Sequence, residues 1–256
     1  MNEKTYMDDQ LRAQLSEQLA AITVKNHGVT APLSPEYVQE HMHVAVVNTE
    51  KNEDMLARCP HEAITNLSVI VRCDLGDDRS LLVTNDFVSL FRKSAEEIIE
   101  QAKINSAREG YTCRNIEQVL GDVFSTDVMP EIIPGSDNCP LYVLATQRGV
   151  DGAAAITSKA FLEEVHNRFG EDYYILPSSR HEVLAVPVSK APEPEELASV
   201  VNDVNTTEVD EKDFLSNDVY YFDGRSLKLA DSLTEKQENV FDATLQEPVI
   251  EHHRCH

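Results

Sequence analysis

Residues 141–188 decide the fold class, and they read LYVLATQRGVDGAAAITSKAFLEEVHNRFGEDYYILPSSRHEVLAVPV. Runs rich in apolar, β-branched and aromatic residues within this stretch predict four short strands, separated by residues that favour turns. The predicted strands cover Leu141 to Gln147, the residues after the turn at 149–152 through Ile156, Tyr173 to Leu176, and Arg180 to Val188.

A helix is predicted between the second and third of these strands. Ser158 is suited to accept the free amides of a first helical turn, and Gly170 is suited to the left-handed conformation that ends a helix. Phe161, Leu162 and Val165 lie between them at helical spacing. The order strand, strand, helix, strand, strand packs as an antiparallel sheet with helices on one face. We therefore expect an α+β protein.

The flanking sequence continues this mixture of short strands and helices. Upstream, one helix begins with a capping box at Ser94–Glu97, and another is predicted from Arg114 to Phe124. Downstream, the spacing predicts a helix over 194–204 and a hairpin around Asp223-Gly224. The same fold class is therefore expected along most of the chain.

Residues 128–140 interrupt the regular pattern with three prolines and one glycine, which favours a loop or linker. We therefore expect two subdomains. The predicted parts are an N-terminal α+β unit over 1–127, the linker or loop over 128–140, a C-terminal α+β unit over 141–232, and a flexible tail over 233–256.

The charge balance excludes several classes of function. With 22 Lys and Arg against 45 Asp and Glu, the net charge is −23, which disfavours direct binding to nucleic acid or to acidic membranes.

The longest apolar run has five residues, 141–145, so no transmembrane helix is predicted. The first residues lack the basic and apolar regions of a secretory signal, and five scattered cysteines suit reduced thiols. We expect a cytoplasmic protein.

A nucleophile, a base and a carboxylate stand close together at Ser179, His181 and Glu182. Neighbouring strand residues point to opposite faces, so His181 and Glu182 cannot pair directly, and no Gly-x-Ser-x-Gly elbow surrounds the serine. The favoured interpretation is a turn at Pro177-Ser178-Ser179 followed by an ordinary strand histidine, His181. The alternative is a small-molecule hydrolase with its site around Ser179 and His181, which needs a further residue from elsewhere in the fold.

Metal and nucleotide sites are not predicted. His41 and His43 are two residues apart, which places them on different faces of a helix. The tail 252–256, His-His-Arg-Cys-His, has suitable ligand types but no packed scaffold around them. No glycine pattern typical of phosphate binding occurs. We therefore expect no metal site and no cofactor.

Two acidic clusters precede or open predicted helices, where carboxylates interact favourably with the helix dipole and are mainly structural. They are also the candidate residues of an acidic surface that attracts a basic protein partner. The clusters are Glu96, Glu97 and Glu100, and Glu193, Glu195 and Glu196.

Two aromatic runs, Tyr173-Tyr174 and Tyr220-Tyr221-Phe222, lie in predicted strands. Since alternate strand residues face opposite sides of a sheet, one ring of each pair is expected in the core. Tyr174 and Tyr221 are candidates for an exposed recognition patch, because a tyrosine offers a large apolar contact with a polar end. The alternative is cross-strand packing under a helix or loop.

Six motifs form an ordered set along the chain. They are Asn48-x-Glu50-Lys-Asn52, Leu67-Ser-Val69, Leu141-Tyr-Val-Leu144, Gly152-Ala-Ala154, Tyr174-Ile-Leu-Pro-Ser-Ser179 with His181-Glu-Val183, and Ser216-x-x-Val219-Tyr-Tyr221-x-Asp223. The set resembles an uncharacterised bacterial family catalogued only as a domain of unknown function, over about residues 5–230. The resemblance implies a cytoplasmic bacterial protein whose genes neighbour mobile-element cargo. It implies no activity, cofactor or catalytic residue.

Two hypotheses about function follow. The first is a non-enzymatic interaction protein that is associated with mobile elements and whose acidic surface engages a basic or nucleic-acid-binding partner. The lack of a recognisable catalytic spacing favours it. The second is the hydrolase around Ser179 and His181, since catalytic groups also assemble from distant segments.

Overall fold

The computed structural model of the chain describes residues 9–26, 29–77, 79–123 and 141–231. Its helices are α1 (Asp9–Ala20), α2 (Pro35–His41), α3 (Glu53–Leu56), α4 (Asn85–Phe91), α5 (Ala95–Glu109), α6 (Ile116–Val123), α7 (Lys159–Phe169) and α8 (Pro194–Glu208). Its strands are β1 (Thr23–Asn26), β2 (Val29–Pro32), β3 (Met42–Asn48), β4 (His61–Ile64), β5 (Leu67–Gly76), β6 (Arg79–Leu82), β7 (Tyr111–Asn115), β8 (Tyr142–Thr146), β9 (Tyr173–Ser179), β10 (Glu182–Pro187), β11 (Tyr220–Phe222) and β12 (Leu227–Leu229).

These strands form three sheets, and each pairing between them is antiparallel. Strands β1 and β2 make a hairpin. In the four-stranded sheet, β5 is central, with β3 on one side and both β4 and β6 on the other. The six-stranded sheet has the order β12-β11-β9-β10-β8-β7. The predicted α+β class with antiparallel sheets is confirmed.

Helix α5 covers the four-stranded sheet and closes the open edge of β3. Its residues Ile98 and Ile99 pack in the same apolar cluster as residues of β3 and β5. At the edge of β3, Ser106 Oγ accepts a hydrogen bond from the Val44 amide at 3.0 Å. Asn105 Nδ2 donates to the carbonyls of Met42 and Gln39 at 2.9 and 3.0 Å. The helix thereby pairs backbone groups that an edge strand otherwise leaves open.

Helices α7 and α8 lie on opposite faces of the six-stranded sheet, whereas the sequence pattern placed the helices on one face. Phe161 and Leu162 of α7 share an apolar cluster with Tyr173 and Ile175 of β9. Leu197 and Val201 of α8 instead share a cluster with Leu176 of β9 and Val186 of β10. The reason is that β9 is apolar on both sides, so each face needs a cover.

The predicted strand through Ile156 is wrong, because Gly152–Thr157 forms a buried 3-10 turn. This turn touches β3, β8, β10 and α7, so it lies between the two larger sheets. A Cβ at Gly152 would sit 1.9 Å from the carbonyl oxygen of His181, and only glycine permits that approach. Ala153, Ala154 and Ala155 are fully buried, and their small side chains fit between two layers.

The predicted helix from Arg114 to Phe124 is found as α6 over Ile116–Val123. Strand β7 was not predicted, and its last residues, Arg114 and Asn115, lie at the predicted start of that helix. It pairs with β8, which lies beyond the predicted linker. The six-stranded sheet therefore takes one strand from the residues assigned to the N-terminal unit. The division into two units stays a prediction, and both the linker at 128–140 and the tail at 233–256 lie outside the described residues. In the four described ranges, none of the helices has the length and apolar character needed to cross a bilayer.

Replacement of Asn105 tests the closure of β3. Asn105 is only 5% exposed, and Asn105→Ala leaves the buried carbonyl of Met42 and the partly buried carbonyl of Gln39 without this donor. We expect the free energy of unfolding to fall by about 2–3 kcal/mol, measured by urea denaturation. Glu100→Ala on the exposed side of α5 is the control and should change it by less than about 0.5 kcal/mol. Equal effects of the two substitutions would show that the edge contacts contribute little.

Candidate functional site

A buried carboxylate, Asp151, lies where the two larger sheets meet. It precedes the 3-10 turn in a left-handed backbone conformation, with φ 51°, and it is 1% exposed. His43 Nε2 of β3 lies 3.2 Å from Oδ2, and Arg180 of the β9–β10 turn lies 3.3 Å from Oδ1. Arg72 Nε of β5 lies 3.9 Å from Oδ2. One carboxylate thus joins both sheets.

Arg148 completes this Asp151 cluster next to the His43 ring. Its guanidinium lies 3.3 Å from His43 Nδ1 and 3.4 Å from His43 Nε2, and it also approaches Glu109 and Asp74 at 3.5 and 3.6 Å. An ionised carboxylate only accepts, so His43 Nε2 donates in its contact with Asp151. The imidazole therefore contacts both a cation and an anion.

Burial raises the pKa of Asp151, but the hydrogen bond from His43 and the positive charges of Arg180 and Arg72 outweigh it, so the net shift is downward. The carboxylate is ionised at neutral pH. Two buried atoms in the cluster, Asp151 Oδ1 and Arg180 Nε, form charge contacts but have no well-aligned hydrogen bond. Because the three arginines near Asp151 face four carboxylates including Asp213, the cluster has no excess positive charge for an anionic ligand.

The polar chain continues from Arg180 to the surface. Arg180 Nε lies 3.3 Å from Asp213 Oδ1, and His181 Nε2 lies 3.4 Å from the same oxygen. The His181 side chain is 42% exposed, so Asp213 lies beside a histidine that solvent reaches. Sequence reasoning required a further residue for a site at this position, and Asp213 is the carboxylate that the fold supplies.

Ser179 and Glu182 do not join this pair. Ser179 Oγ accepts a hydrogen bond from the backbone amide of His181 at 3.2 Å, as in a turn, and this is its contact with that residue in the described structure. Ser179 also pairs with Phe214 in an isolated β-bridge. Glu182 is exposed on β10. The expected turn at 177–179 followed by a strand histidine is wrong, because Pro177, Ser178 and Ser179 belong to strand β9 and the turn consists of Arg180 and His181. The catalytic role of Ser179 and His181 stays a prediction.

Residues from motifs that are distant in the sequence contact the segment 210–216. Asn48 Nδ2 donates to the Leu215 carbonyl at 2.7 Å, and the Ser216 amide donates to the Pro177 carbonyl at 3.1 Å. Lys51 Nζ lies 4.3 Å from the centre of the Phe214 ring. An open groove of about 700 Å³ lies beside Lys51 and Phe214. Three of the motifs quoted above therefore meet at one loop.

Tyr174 and Tyr221 form a cross-strand pair on the face of the six-stranded sheet that α8 covers. They are directly opposite in the β9–β11 register, and their ring centres lie 5.7 Å apart. Tyr173, Tyr220 and Phe222 are fully buried, whereas Tyr174 and Tyr221 are half-buried. The predicted alternation of rings is therefore confirmed, and the two candidate tyrosines lie together.

Carboxylates surround this tyrosine pair. Burial raises the pKa of Tyr174, and the negative charges of Glu193 and Glu195 raise it further. Burial also raises the pKa of Tyr221, whose hydroxyl donates to Asp172. Both phenols are neutral at physiological pH. We call Tyr174, Tyr221, Glu193 and Glu195 the acidic aromatic face.

The α5 cluster has a structural role that the sequence anticipated. Ser94 Oγ accepts from the Glu97 amide at 3.2 Å, and Glu97 accepts from the Ser94 amide at 2.7 Å, which completes the predicted capping box. A hydrogen bond from Ser94 lowers the pKa of Glu96. Glu96, Glu97 and Glu100 line an open groove of about 800 Å³ with Glu62 and Ile104.

The residues around Asp151 were missed because their local signals are ordinary. Asp151 stands in a turn sequence, and such residues are usually exposed. His43 stands two residues after His41, a spacing that indicates no partner elsewhere in the chain. In the described ranges, no three His, Cys, Asp or Glu side chains are placed to share a metal ion. Cys59, Cys73 and Cys113 are free thiols, and burial raises the pKa of Cys73 to about 12.

The fold and the cluster together define an α+β protein built from antiparallel sheets around a buried Asp–His–Arg junction. The chain belongs to a family of unknown function, DUF5688, whose model matches residues 7–224. This confirms the resemblance seen in the ordered motifs. No curated protein and no solved structure matches the chain. The matched range contains every residue of the Asp151 cluster and the acidic aromatic face.

Asp151→Asn tests the junction. We expect it to lower the free energy of unfolding at pH 7 by about 3 kcal/mol, because the buried cations lose their counter-charge. A carboxyl with a lowered pKa stabilises the fold above its unfolded pKa, about 4, and loses that effect as the pH falls through the folded value. The difference between variant and parent should therefore shrink at pH 3 in urea denaturation.

The control for this test is Glu182→Gln, which removes one exposed carboxylate from β10. It should leave both the stability at pH 7 and its dependence on pH close to those of the parent. A loss of stability by Asp151→Asn that is the same at pH 7 and pH 3 would contradict the role assigned to the charge of Asp151.

Proposed function

We propose that the protein is a non-enzymatic interaction protein that binds a basic segment of a protein partner on the acidic aromatic face. The observation that carries the proposal is the half-buried Tyr174–Tyr221 pair in the field of Glu193 and Glu195. Ring faces and carboxylates both attract cations, and here they occupy one surface. Lysine and arginine side chains suit this combination.

Hydrogen bonds fix the geometry of the face before a partner arrives. The Tyr221 hydroxyl donates to Asp172, and His166 Nε2 lies 2.9 Å from the other oxygen of that carboxylate. The Asp223 carboxylate contacts Lys228 and accepts amide hydrogen bonds from the hairpin turn. Binding therefore does not need to order the Tyr221 side chain, which reduces the entropic cost of association.

The net charge of −23 supports the same class of partner. A surface of one dominant sign steers an oppositely charged partner and speeds encounter, and added salt weakens this effect. The three cysteines in the described part of the chain are free thiols, which suits a reducing compartment, so we place the protein in the bacterial cytoplasm.

Removal of charge beside the tyrosines tests the proposal. The probe is a fluorescent peptide of repeating Lys-Arg-Ser, and binding is followed by anisotropy over a range of salt concentrations. The triple variant Glu193→Gln, Glu195→Gln and Glu196→Gln should bind about tenfold more weakly, since each exposed carboxylate contributes about 0.5 kcal/mol to binding. Its affinity should also depend less on salt.

The matched control is Glu96→Gln, Glu97→Gln and Glu100→Gln, which removes the same charge from α5 and keeps a residue that completes the capping box. It should change the affinity by less than about twofold, because these groups lie outside the acidic aromatic face. Equal weakening by both variants would show attraction to net charge alone, and unchanged binding by both would contradict the proposal.

The hydrolase alternative has one specific observation in its favour, the exposed His181 with Asp213 behind it. If that pair activates a nucleophile or a water molecule, hydrolysis of a small ester should fall by about a hundredfold or more in His181→Ala. Ser179→Ala separates the two routes, because it removes only the nucleophile. Peptide binding that is unchanged in both variants supports the interaction protein. If His181→Ala loses hydrolysis while the glutamate variants bind the peptide as the parent does, the hydrolase replaces the interaction protein as the proposed function.

A further inference from the structure

Helix α8 presents an apolar stripe to solvent although its other side is well packed. Leu197, Val201 and Asn205 are buried, whereas Val200 and Val204 are 56% and 41% exposed. The two valines are four residues apart, so they are neighbours on the helix surface. In the described ranges, the other large apolar side chains this exposed are Ile104 and Val150, which lie on separate elements.

The charges of α8 are not explained by the stability of the helix. Glu195 and Glu196 lie in the first turn, where the helix dipole favours them. Asp203 and Glu208 lie in the second half, where the dipole disfavours carboxylates, and the helix sequence contains no lysine or arginine. Valine is also a weaker helix former than the residues usual at exposed positions. These choices reduce the stability of α8 and suit a surface that binds.

The arrangement of the stripe indicates the shape of its partner. Glu196, Val200, Val204 and Glu208 follow one another at intervals of four, so the apolar pair has a carboxylate at each end. At 1.5 Å per residue, the stripe extends about 18 Å along the helix from Glu196 to Glu208. A second helix laid along it would bury its own apolar residues on the valines and place basic residues against the carboxylates.

We infer that α8 is the docking surface for a basic amphipathic helix of the partner, with Val200 and Val204 at the centre of the contact. The inference rests on the proposed function and specifies which structural element of the partner binds. Charge complementarity determines the sign of the partner, and the exposed valines require an apolar face on it. The N-terminal end of α8 carries Glu195, so the same helix reaches the acidic aromatic face.

The test compares two fluorescent peptides of identical Lys, Leu and Ala composition. In one, leucines recur at intervals of three and four to form an amphipathic helix, and in the other the same residues are scrambled so that no face is apolar. The protein should bind the amphipathic peptide about tenfold more tightly, since only that peptide covers both valines. Circular dichroism of the mixture should show a gain of helix.

Val200→Thr with Val204→Thr keeps the branched shape and adds two hydroxyls. This variant should lose most of the preference for the amphipathic peptide while the salt dependence of binding is unchanged. Ile104→Thr is the matched control, because Ile104 is an equally exposed apolar residue on α5, and it should retain the preference. Circular dichroism and thermal unfolding confirm that each variant is folded.

Three outcomes would overturn the inference. They are equal binding of the two peptides by the parent, an unchanged preference in the double valine variant, and loss of the preference in Ile104→Thr instead. The proposed function fails separately, if the Glu193, Glu195 and Glu196 variant binds both peptides as the parent does. A further outcome separates the two ideas. If the glutamate variant binds both peptides more weakly while the double valine variant still prefers the amphipathic peptide, binding at the acidic aromatic face is supported and the helical partner is rejected.

Discussion

The burial of one ionised carboxylate constrains the way this protein is assembled. An isolated carboxylate in the interior costs several kcal/mol, so Asp151 is stable only where donors and positive charges surround it. His43, Arg72 and Arg180 provide them, from β3, from β5 and from the turn between β9 and β10. Because these elements belong to different sheets, the electrostatic requirement of a single side chain sets the position of one sheet against the other.

The backbone around Asp151 is adapted to this requirement. The left-handed conformation of Asp151 directs the chain into a buried 3-10 turn, and Gly152 allows the carbonyl of His181 to approach. The amide of Ala153 then donates to the Arg180 carbonyl at 3.0 Å. The turn that carries Arg180 is thus held by both its backbone and its guanidinium. Arg180 also contacts Asp213, and the loop at 210–216 lies against β9. These contacts connect the interior to the surface groove.

The acidic aromatic face, the surface with the proposed function, depends indirectly on the same framework. Strand β9 is apolar on both sides, so α7 covers one side and α8 the other. Helix α8 reaches only part of its face, which leaves Tyr174 and Tyr221 half-buried beside the acidic start of the helix. The ring pair, whose Tyr221 hydroxyl donates to Asp172, lies next to the carboxylates of Glu193 and Glu195, and this combination suits a cation. In the proposed function, the acidic residues at the start of α8 have two roles, to stabilise the helix and to bind the partner.

Local patterns in the sequence determined the parts of this structure that depend on neighbouring residues. The period-two alternation of β9 and β11 predicted which tyrosines are buried, Ser94 and Glu97 predicted the start of α5, and the order of elements predicted the α+β class. These features follow from backbone geometry within a few residues. The motifs also identified the family, because their order along the chain is itself sequence information.

Only the tertiary structure decided the rest. Nothing near Asp151 in the chain shows that His43, which lies 108 residues away, will donate to it, or that Gly152 must admit the backbone of His181. The sequence interpretation therefore extended a strand through Ile156, because small apolar residues fit a strand as well as a buried turn. It also left Ser179 and His181 without Asp213. Charge pairing and burial depend on distance in space, and a linear pattern does not contain that distance until the chain has folded.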